Sequence, residues 1–165
     1  MPLFARLMFG ALNYFAARGG LCAQEPDGAE GQPRARRTGI RGETFAYWFL
    51  RRHGYLLVRR NYRVPNRHGE IDLIGWDGSV LAFIEVKTRI SEGPLPPEAA
   101  LTAEKRKELR AMAREYLRRR HLQPASYRFD LVAIVAPPGC VPTVRLHKGV
   151  FGEQQVRAKP GSRSE

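Results

Sequence analysis

The sequence is poor in cysteine, and its four histidines are scattered. Only Cys22 and Cys140 occur among the 165 residues, without a CxxC motif or the Cys/His spacing of zinc ligands. Neither a disulfide framework nor a structural zinc site is therefore predicted. A glycine-rich loop ending in Lys and Ser or Thr is also absent, which argues against an NTPase.

Long hydrophobic runs are absent too. The apolar run at 7–17 is shorter than the ~20 residues of a membrane span, and Asn13 interrupts it. It imitates a signal peptide only weakly, and the Gly-, Pro- and Arg-rich stretch 19–37 is typical of a linker. We therefore expect residues 1–38 to be a poorly ordered extension of a cytoplasmic protein without a membrane partner; an export signal is the alternative.

Acidic residues are outnumbered. The chain has 28 Lys and Arg against 16 Asp and Glu, a formal net charge of +12. This excess predicts attraction to a polyanion, most commonly nucleic acid through phosphate neutralisation, although ribosomal surfaces and anionic lipid would attract the same charge. The length fits one domain with tails.

Organised pattern begins at residue 39. Apolar residues at helical spacing predict a helix that ends near Gly54, and the rest of the chain alternates strand and helix patterns. We predict strands at 55–62, 70–76, 80–88, 127–135 and 141–146, and a helix at 102–120. The order α-β-β-β-α-β-β predicts a single α/β domain at 39–151, with a central mixed β-sheet flanked by helices and a tail at 152–165.

The hairpin at 70–88 carries charges in an apolar setting. If Asp77 and Gly78 form its two-residue loop, Trp76 opposes Ser79 and Asp72 and Glu85 become diagonal neighbours roughly 7 Å apart at the backbone. Side chains alternate between the two faces of a strand. One face then carries Glu70, Asp72, Glu85 and Lys87, and the other carries Ile71, Leu73, Ile84 and Val86.

Two carboxylates this close predict a divalent cation between them, since Mg²⁺ prefers oxygen ligands and like charges repel. Lys87, two residues from Glu85, is suited to contact a phosphate oxygen or position an attacking water. The alternative is an ordinary solvated hairpin face. The flanking runs IDLIGW and VLAFIEV favour a site, because they indicate a buried central strand on which charges need a purpose.

These residues also carry a resemblance. GEIDLIGWDGSVLAFIEVKTR resembles the PD-(D/E)xK nuclease signature, with Asp72 as first acid, Glu85-Val86-Lys87 as second acid and lysine, and Ile71 in place of the expected proline. The chain more narrowly resembles the YraN-like family of bacterial restriction-endonuclease-like proteins from about residue 39 to 151. The matching segments are GIRGETFA, RRNYR, GEIDLI, FIEVKTR, TAEKRKEL and YRFDLVAI. The resemblance implies a restriction-endonuclease-like fold and a nuclease-type site.

Further residues are candidates for supporting roles. Glu43 is expected near the start of the first helix. It could make a water-mediated metal contact, or it could simply be an acid that the helix dipole favours in the first turn. Lys105 shares a helix face with Leu109, Met112 and Tyr116, so we expect it to face the sheet and contact phosphate, or to snorkel past the core. Asp130 matches the family pattern, and it and Glu70 are open to a purely structural role.

The opposite side of that helix predicts a second nucleic-acid contact. Four basic residues fall within roughly 80° at the helical 100° per residue: Lys107, Arg110, Arg114 and Arg118. Such a single-signed face is usually only solvated, yet it would suit a phosphate backbone.

Together these features predict a Mg²⁺- or Mn²⁺-dependent endonuclease that acts on nucleic acid, with DNA as the expected polymer and branched or processed DNA as one option. Asp72 and Glu85 would bind the metal, and Lys87 and Glu43 would assist catalysis. A homodimer is expected by analogy with junction-resolving enzymes of similar fold. Two alternatives stay open: a catalytically silent nucleic-acid-binding module and a basic ribosome-associated structural protein.

Overall fold

The computed structural model describes residues 2–19, 21, 34–91, 101–124 and 126–155. Its elements in chain order are α1 (Pro2–Gly19), α2 (Arg34–Arg52), β1 (Leu56–Tyr62), β2 (Ile71–Asp77), β3 (Val80–Arg89), α3 (Ala103–Arg119), β4 (Ser126–Val135) and β5 (Thr143–Gln155). From α2 onward, this order confirms the predicted α-β-β-β-α-β-β arrangement. The predicted fold class, a mixed sheet flanked by helices, is also confirmed.

The five strands form one sheet in the order β1-β2-β3-β4-β5. Neighbouring strands are antiparallel except for β3 and β4, which are parallel over their whole length, from Val80 opposite Ser126 to Arg89 opposite Val135. A parallel pair needs a crossover connection, and α3 lies in the segment that makes it. The charged hairpin β2–β3 is therefore in the interior of the sheet.

Apolar side chains cover both faces of the sheet. On one face, residues of α2 such as Phe45 and Leu50 pack with Ile84 and other strand residues. On the other face, Leu109 and Met112 of α3 pack with residues that include Phe83. Asp72 and Glu85 of the hairpin are therefore buried within a three-layer core.

Helix α1 lies within the stretch that we expected to be poorly ordered. Its Phe9 is buried, with ring centroids 5.0 Å from Phe45 and 5.8 Å from Phe49. The boundary predicted at residue 39 also falls inside α2, and β5 continues past the predicted start of the tail at 152. Apart from Leu21, the rest of the predicted extension and tail lies outside the described residues, as does Cys22. Among the described helices, none is long and apolar enough to cross a membrane.

The hairpin turn differs from the prediction by one position. Asp77 pairs with Val80, so the loop residues are Gly78 and Ser79. Gly78 has φ +60°, a left-handed value that glycine adopts readily at the first loop position. The pairing partner of each residue shifts by two, which preserves the faces of the strands. Leu73, Ile84 and Val86 share the α2 side as predicted, whereas Ile71 packs on the α3 side, contrary to prediction.

Candidate active site

Asp72 and Glu85 are buried neighbours at the end of the β2–β3 ladder. Their exposed fractions are 7% and 3%. The ladder runs from Asp77–Val80 to Leu73–Ile84. Beyond it, Oδ2 of Asp72 accepts a hydrogen bond from the backbone N–H of Val86 at 2.7 Å. The Asp72 carboxylate thus replaces a backbone carbonyl as the acceptor for this N–H, and the hydrogen bond fixes the carboxylate beside Glu85.

Two lysines contact Glu85 from different elements. Lys87 Nζ donates to Glu85 Oε1 at 2.8 Å, and Lys105 Nζ lies 3.2 Å from Glu85 Oε2. The second contact lacks hydrogen-bond geometry, so the buried Oε2 has no hydrogen-bond donor. Lys105 instead donates to the backbone oxygen of Glu70 at 3.2 Å. The prediction that Lys105 faces the sheet is confirmed.

The start of α3 places Lys105. The Thr102 side chain caps the helix by accepting a hydrogen bond from the Lys105 backbone N–H at 3.2 Å. Leu109 and Met112 on the same side of the helix are buried against the sheet, as predicted. Lys105 therefore reaches Glu85 from the first turn of a helix whose orientation is fixed by its cap and its apolar face.

The electrostatics of the pair show a shortage of positive charge. Burial, and after it the charge of Glu85, raise the pKa of Asp72 to about 8. The Val86 N–H and Lys105 act in the opposite direction, while the charge of Glu43 adds to the increase. Asp72 is thus a buried carboxyl near two other acids, a setting in which its ionised form is disfavoured without a further cation.

The residues fit a hard divalent cation. Glu85 Oε2 is buried beside the second buried carboxylate and pairs with Lys105 without receiving a hydrogen bond, which leaves this oxygen able to bind a further cation. Among the described residues, no group of three or more His, Cys, Asp or Glu is arranged to hold a metal ion. Proteins nevertheless commonly bind Mg²⁺ through only one or two carboxylates, because the ion keeps several of its water ligands.

Glu43 lies in the middle of α2, because the helix starts at Arg34; the expectation of a first-turn acid is therefore wrong. At Gly42, the residue before Glu43, the helix is unusually close to β3: a Cβ added there would lie 1.9 Å from Thr88 Oγ1. Glu43 Oε2 accepts a hydrogen bond from Asn61 Nδ2 at 2.6 Å. Its charge acts on Asp72, as described above, so Glu43 belongs to the surroundings of the pair.

The two supporting candidates have other partners. The Glu70 carboxylate pairs with exposed Arg63 at 2.9 Å, and only its backbone meets Lys105. Asp130 is fully buried and accepts hydrogen bonds from Tyr55 and Arg128. It stands beside Ile84 on the α2 side of the sheet, whereas Glu85 points to α3. Asp130 therefore does not join the Asp72–Glu85 pair.

Asp130 belongs to a polar network that the sequence did not reveal. Arg128 donates to Asp130 and also to Asp77 and Tyr55, and Lys148 donates to Asp77 at 2.7 Å. Burial and the Asp130 charge raise the pKa of Tyr55. Asp77 looked like a turn residue in the sequence, and only the pairing of distant strands shows that it is an ion-pair partner.

The outer side of α3 keeps most of its predicted basic character. Lys107, Arg110 and Arg114 are exposed, and the Arg110 guanidinium lies 5.2 Å from the Phe151 ring centroid. Arg118 is exposed but pairs with Glu115 at 2.7 Å. The charge available for a phosphate backbone is therefore concentrated in the first three of these residues.

Comparison with known proteins gives a consistent family. The sequence model described as uncharacterised protein family UPF0102 matches residues 42–134. A UPF0102 protein of Koribacter versatilis is 47% identical over 110 residues, covering 67% of this chain and 73% of the relative. One of Solibacter usitatus is 46% identical over 110 residues (67% and 82%), and one of Symbiobacterium thermophilum is 42% identical over 117 residues (71% and 98%).

Proposed function

The chain belongs to the uncharacterised protein family UPF0102, the YraN-like family that its motifs resemble, and we propose that it is a metal-dependent nuclease that hydrolyses phosphodiester bonds. The observation that carries this proposal is the buried pair Asp72 and Glu85, in which one carboxylate oxygen has no hydrogen-bond donor. Two lysines flank the pair, which suits a phosphate group as the reacting partner.

Asp72 and Glu85 would hold Mg²⁺ or Mn²⁺. When bound, such an ion polarises a phosphate oxygen and lowers the pKa of a bound water. The protein's contribution is to orient both carboxylates: the Val86 N–H holds Asp72, and the two lysines hold Glu85. Burial keeps competing water away from the carboxylates.

Lys87 is the proposed catalytic lysine. Its side chain is 38% exposed while its Nζ contacts Glu85, so it borders both the carboxylate pair and solvent. A lysine in this position can bind a phosphate oxygen that arrives from solvent and stabilise the negative charge that develops on it during hydrolysis. Lys105 is 24% exposed and also contacts the Glu70 backbone, which supports a role in orienting Glu85.

Nucleic acid is the proposed substrate, with DNA as the expected polymer. The net charge of +12 and the exposed basic residues of α3 support attraction to a phosphate backbone. A cytoplasmic location, where such a polyanion is available, and a homodimer that meets the two strands of one duplex are parts of the same proposal.

The test is a cleavage screen with the purified full-length chain. Linear duplex, single-stranded, flapped and four-way-junction DNA and matching RNAs are incubated with Mg²⁺, Mn²⁺ or EDTA. At least one substrate should be cut with metal and not with EDTA, and Asp72→Asn should abolish cleavage because a carboxylate ligand becomes a neutral amide. Binding of these substrates without any cleavage would favour the catalytically silent module, and co-fractionation with ribosomes without nucleic-acid cleavage would favour the structural alternative.

A further inference from the structure

Asn61 has an unusual backbone conformation inside a strand. Its φ is +47°, in the left-handed region that few residues other than glycine adopt. Arg60 pairs with Leu73 and Tyr62 pairs with Ile71, so Asn61 stands opposite Asp72 on the neighbouring strand. The strained residue is therefore next to the carboxylate pair, and strain of this kind persists only where the surrounding structure enforces it.

The side chain of Asn61 connects β1 to α2. Its Nδ2 donates to Glu43 Oε2 at 2.6 Å, and the preceding Arg60 donates to Thr44 Oγ1 at 3.1 Å. Two consecutive residues of β1 thus bind two consecutive residues of α2. Because Asn61 stands opposite Asp72, its hydrogen bond fixes the Glu43 carboxylate in the surroundings of the proposed metal ligands.

We propose that Asn61 is a positioning residue that holds the Glu43 carboxylate beside the metal site; this rests on the proposed function. In this position Glu43 would act on water around the cation, and Asp72 and Glu85 would be the two carboxylates that hold the ion. The position requires both a left-handed φ and a side-chain donor. Asparagine meets both requirements, whereas glycine supplies only the backbone conformation and aspartate would place a like charge against Glu43.

The experiment measures Mn²⁺ affinity of the metal-free full chain by electron paramagnetic resonance titration, which needs no substrate. Asn61→Gly keeps the backbone conformation and removes the donor, so it should melt at or above the parent temperature and bind Mn²⁺ about tenfold more weakly, the lower end of losses typical for groups that orient a metal site. Glu43→Gln should weaken binding similarly. The double variant should bind Mn²⁺ no more weakly than the weaker-binding single variant, because both changes break the same contact between Asn61 and Glu43.

Asn66→Gly is the matched control. Asn66 also has a left-handed φ, +62°, but it is exposed in the turn before β2, so its replacement should leave Mn²⁺ affinity unchanged. A fall in Mn²⁺ affinity in Glu43→Gln is required in any case, which keeps the inference testable if Asn61→Gly folds poorly.

The outcomes separate the two proposals. If the parent binds Mn²⁺ and Asn61→Gly or Glu43→Gln binds it equally well, the positioning role is wrong and the metal site stands. Additive losses in the double variant would also overturn it, since Asn61 would then act independently of Glu43. If the parent binds no Mn²⁺, the proposed function fails and the positioning role fails with it.

Discussion

Replacing Gly42 by alanine should disturb the packing that brings α2 to the site. The added Cβ would lie 1.9 Å from Thr88 Oγ1 and 3.0 Å from Thr88 Cβ. Rotating the Thr88 side chain can move the oxygen away, but it leaves the two Cβ atoms in too close a contact. Helix α2 must therefore move away from β3, and Glu43 must move with it.

The magnitude follows from two opposing effects. Alanine is a better helix former than glycine by about 1 kcal/mol, whereas overpacking a buried contact costs about 1–3 kcal/mol. Gly39→Ala in the same helix provides the control, because nothing lies within 4 Å of a Cβ there. Both variants gain the helix propensity, so the difference between their free energies of unfolding should equal the packing cost, about 1–3 kcal/mol.

Urea denaturation followed by circular dichroism measures both free energies. Gly39→Ala should be more stable than the parent and Gly42→Ala less stable than Gly39→Ala. In a Thr88→Ala background the difference should shrink, since the closest atom is gone. Equal stability of the two glycine variants would refute the reasoning that α2 packs against Thr88 through Gly42.

Three further predictions concern pH, α1 and α3. Because burial and the Glu85 charge raise the pKa of Asp72 to about 8, the unfolded chain loses the Asp72 proton at a lower pH than the folded chain does. Without metal, the free energy of unfolding should then fall by up to about 1.4 kcal/mol per pH unit between about pH 5 and 7. Denaturation at several pH values measures this slope, which Asp72→Asn should flatten; an unchanged slope in the variant would contradict the prediction. A chain shortened to residues 34–165 should lose the packing of Phe9 and show a lower urea midpoint; an equal midpoint would mean that α1 adds no stability. Changing Arg110 and Arg114 to Ala should flatten the salt dependence of nucleic-acid binding, by about 0.9 in the log–log slope per lost phosphate contact, without altering Mn²⁺ affinity; equal slopes would exclude this face.

The faces of the hairpin strands could largely be predicted, because a side chain's face depends only on whether its position along the strand is odd or even. The observed register differs from the predicted one by two residues, which leaves Leu73 and Ile84 on a common face and Glu85 on the other. Ile71 breaks the rule because the ladder ends at Leu73, where the Asp72 carboxylate takes the next donor. A side chain that replaces a backbone acceptor leaves no periodic signal in the sequence.

Contacts between distant elements were beyond the sequence pattern. Lys105 could be assigned to the inner side of α3 from helical spacing, but its approach to Glu85 depends on how α3 docks on the sheet. The start of α2 was missed because the Arg-rich residues before Gly39 lack apolar periodicity, although arginine and alanine are good helix formers. The left-handed Asn61 lies in a segment that reads as an ordinary strand.

The most direct test of the central claim compares two lysines. Lys87→Ala and Lys148→Ala remove the same side chain, but Lys148 pairs with Asp77 in the polar network instead of with Glu85. Both variants are prepared identically and tested with the substrate and metal that the parent cuts. Lys87→Ala should bind this substrate nearly as well as the parent but lose most cleavage, since its charge acts mainly on the transition state, whereas Lys148→Ala should cut at the parental rate. Cleavage by Lys87→Ala at the parental rate would contradict the claim that this site hydrolyses nucleic acid.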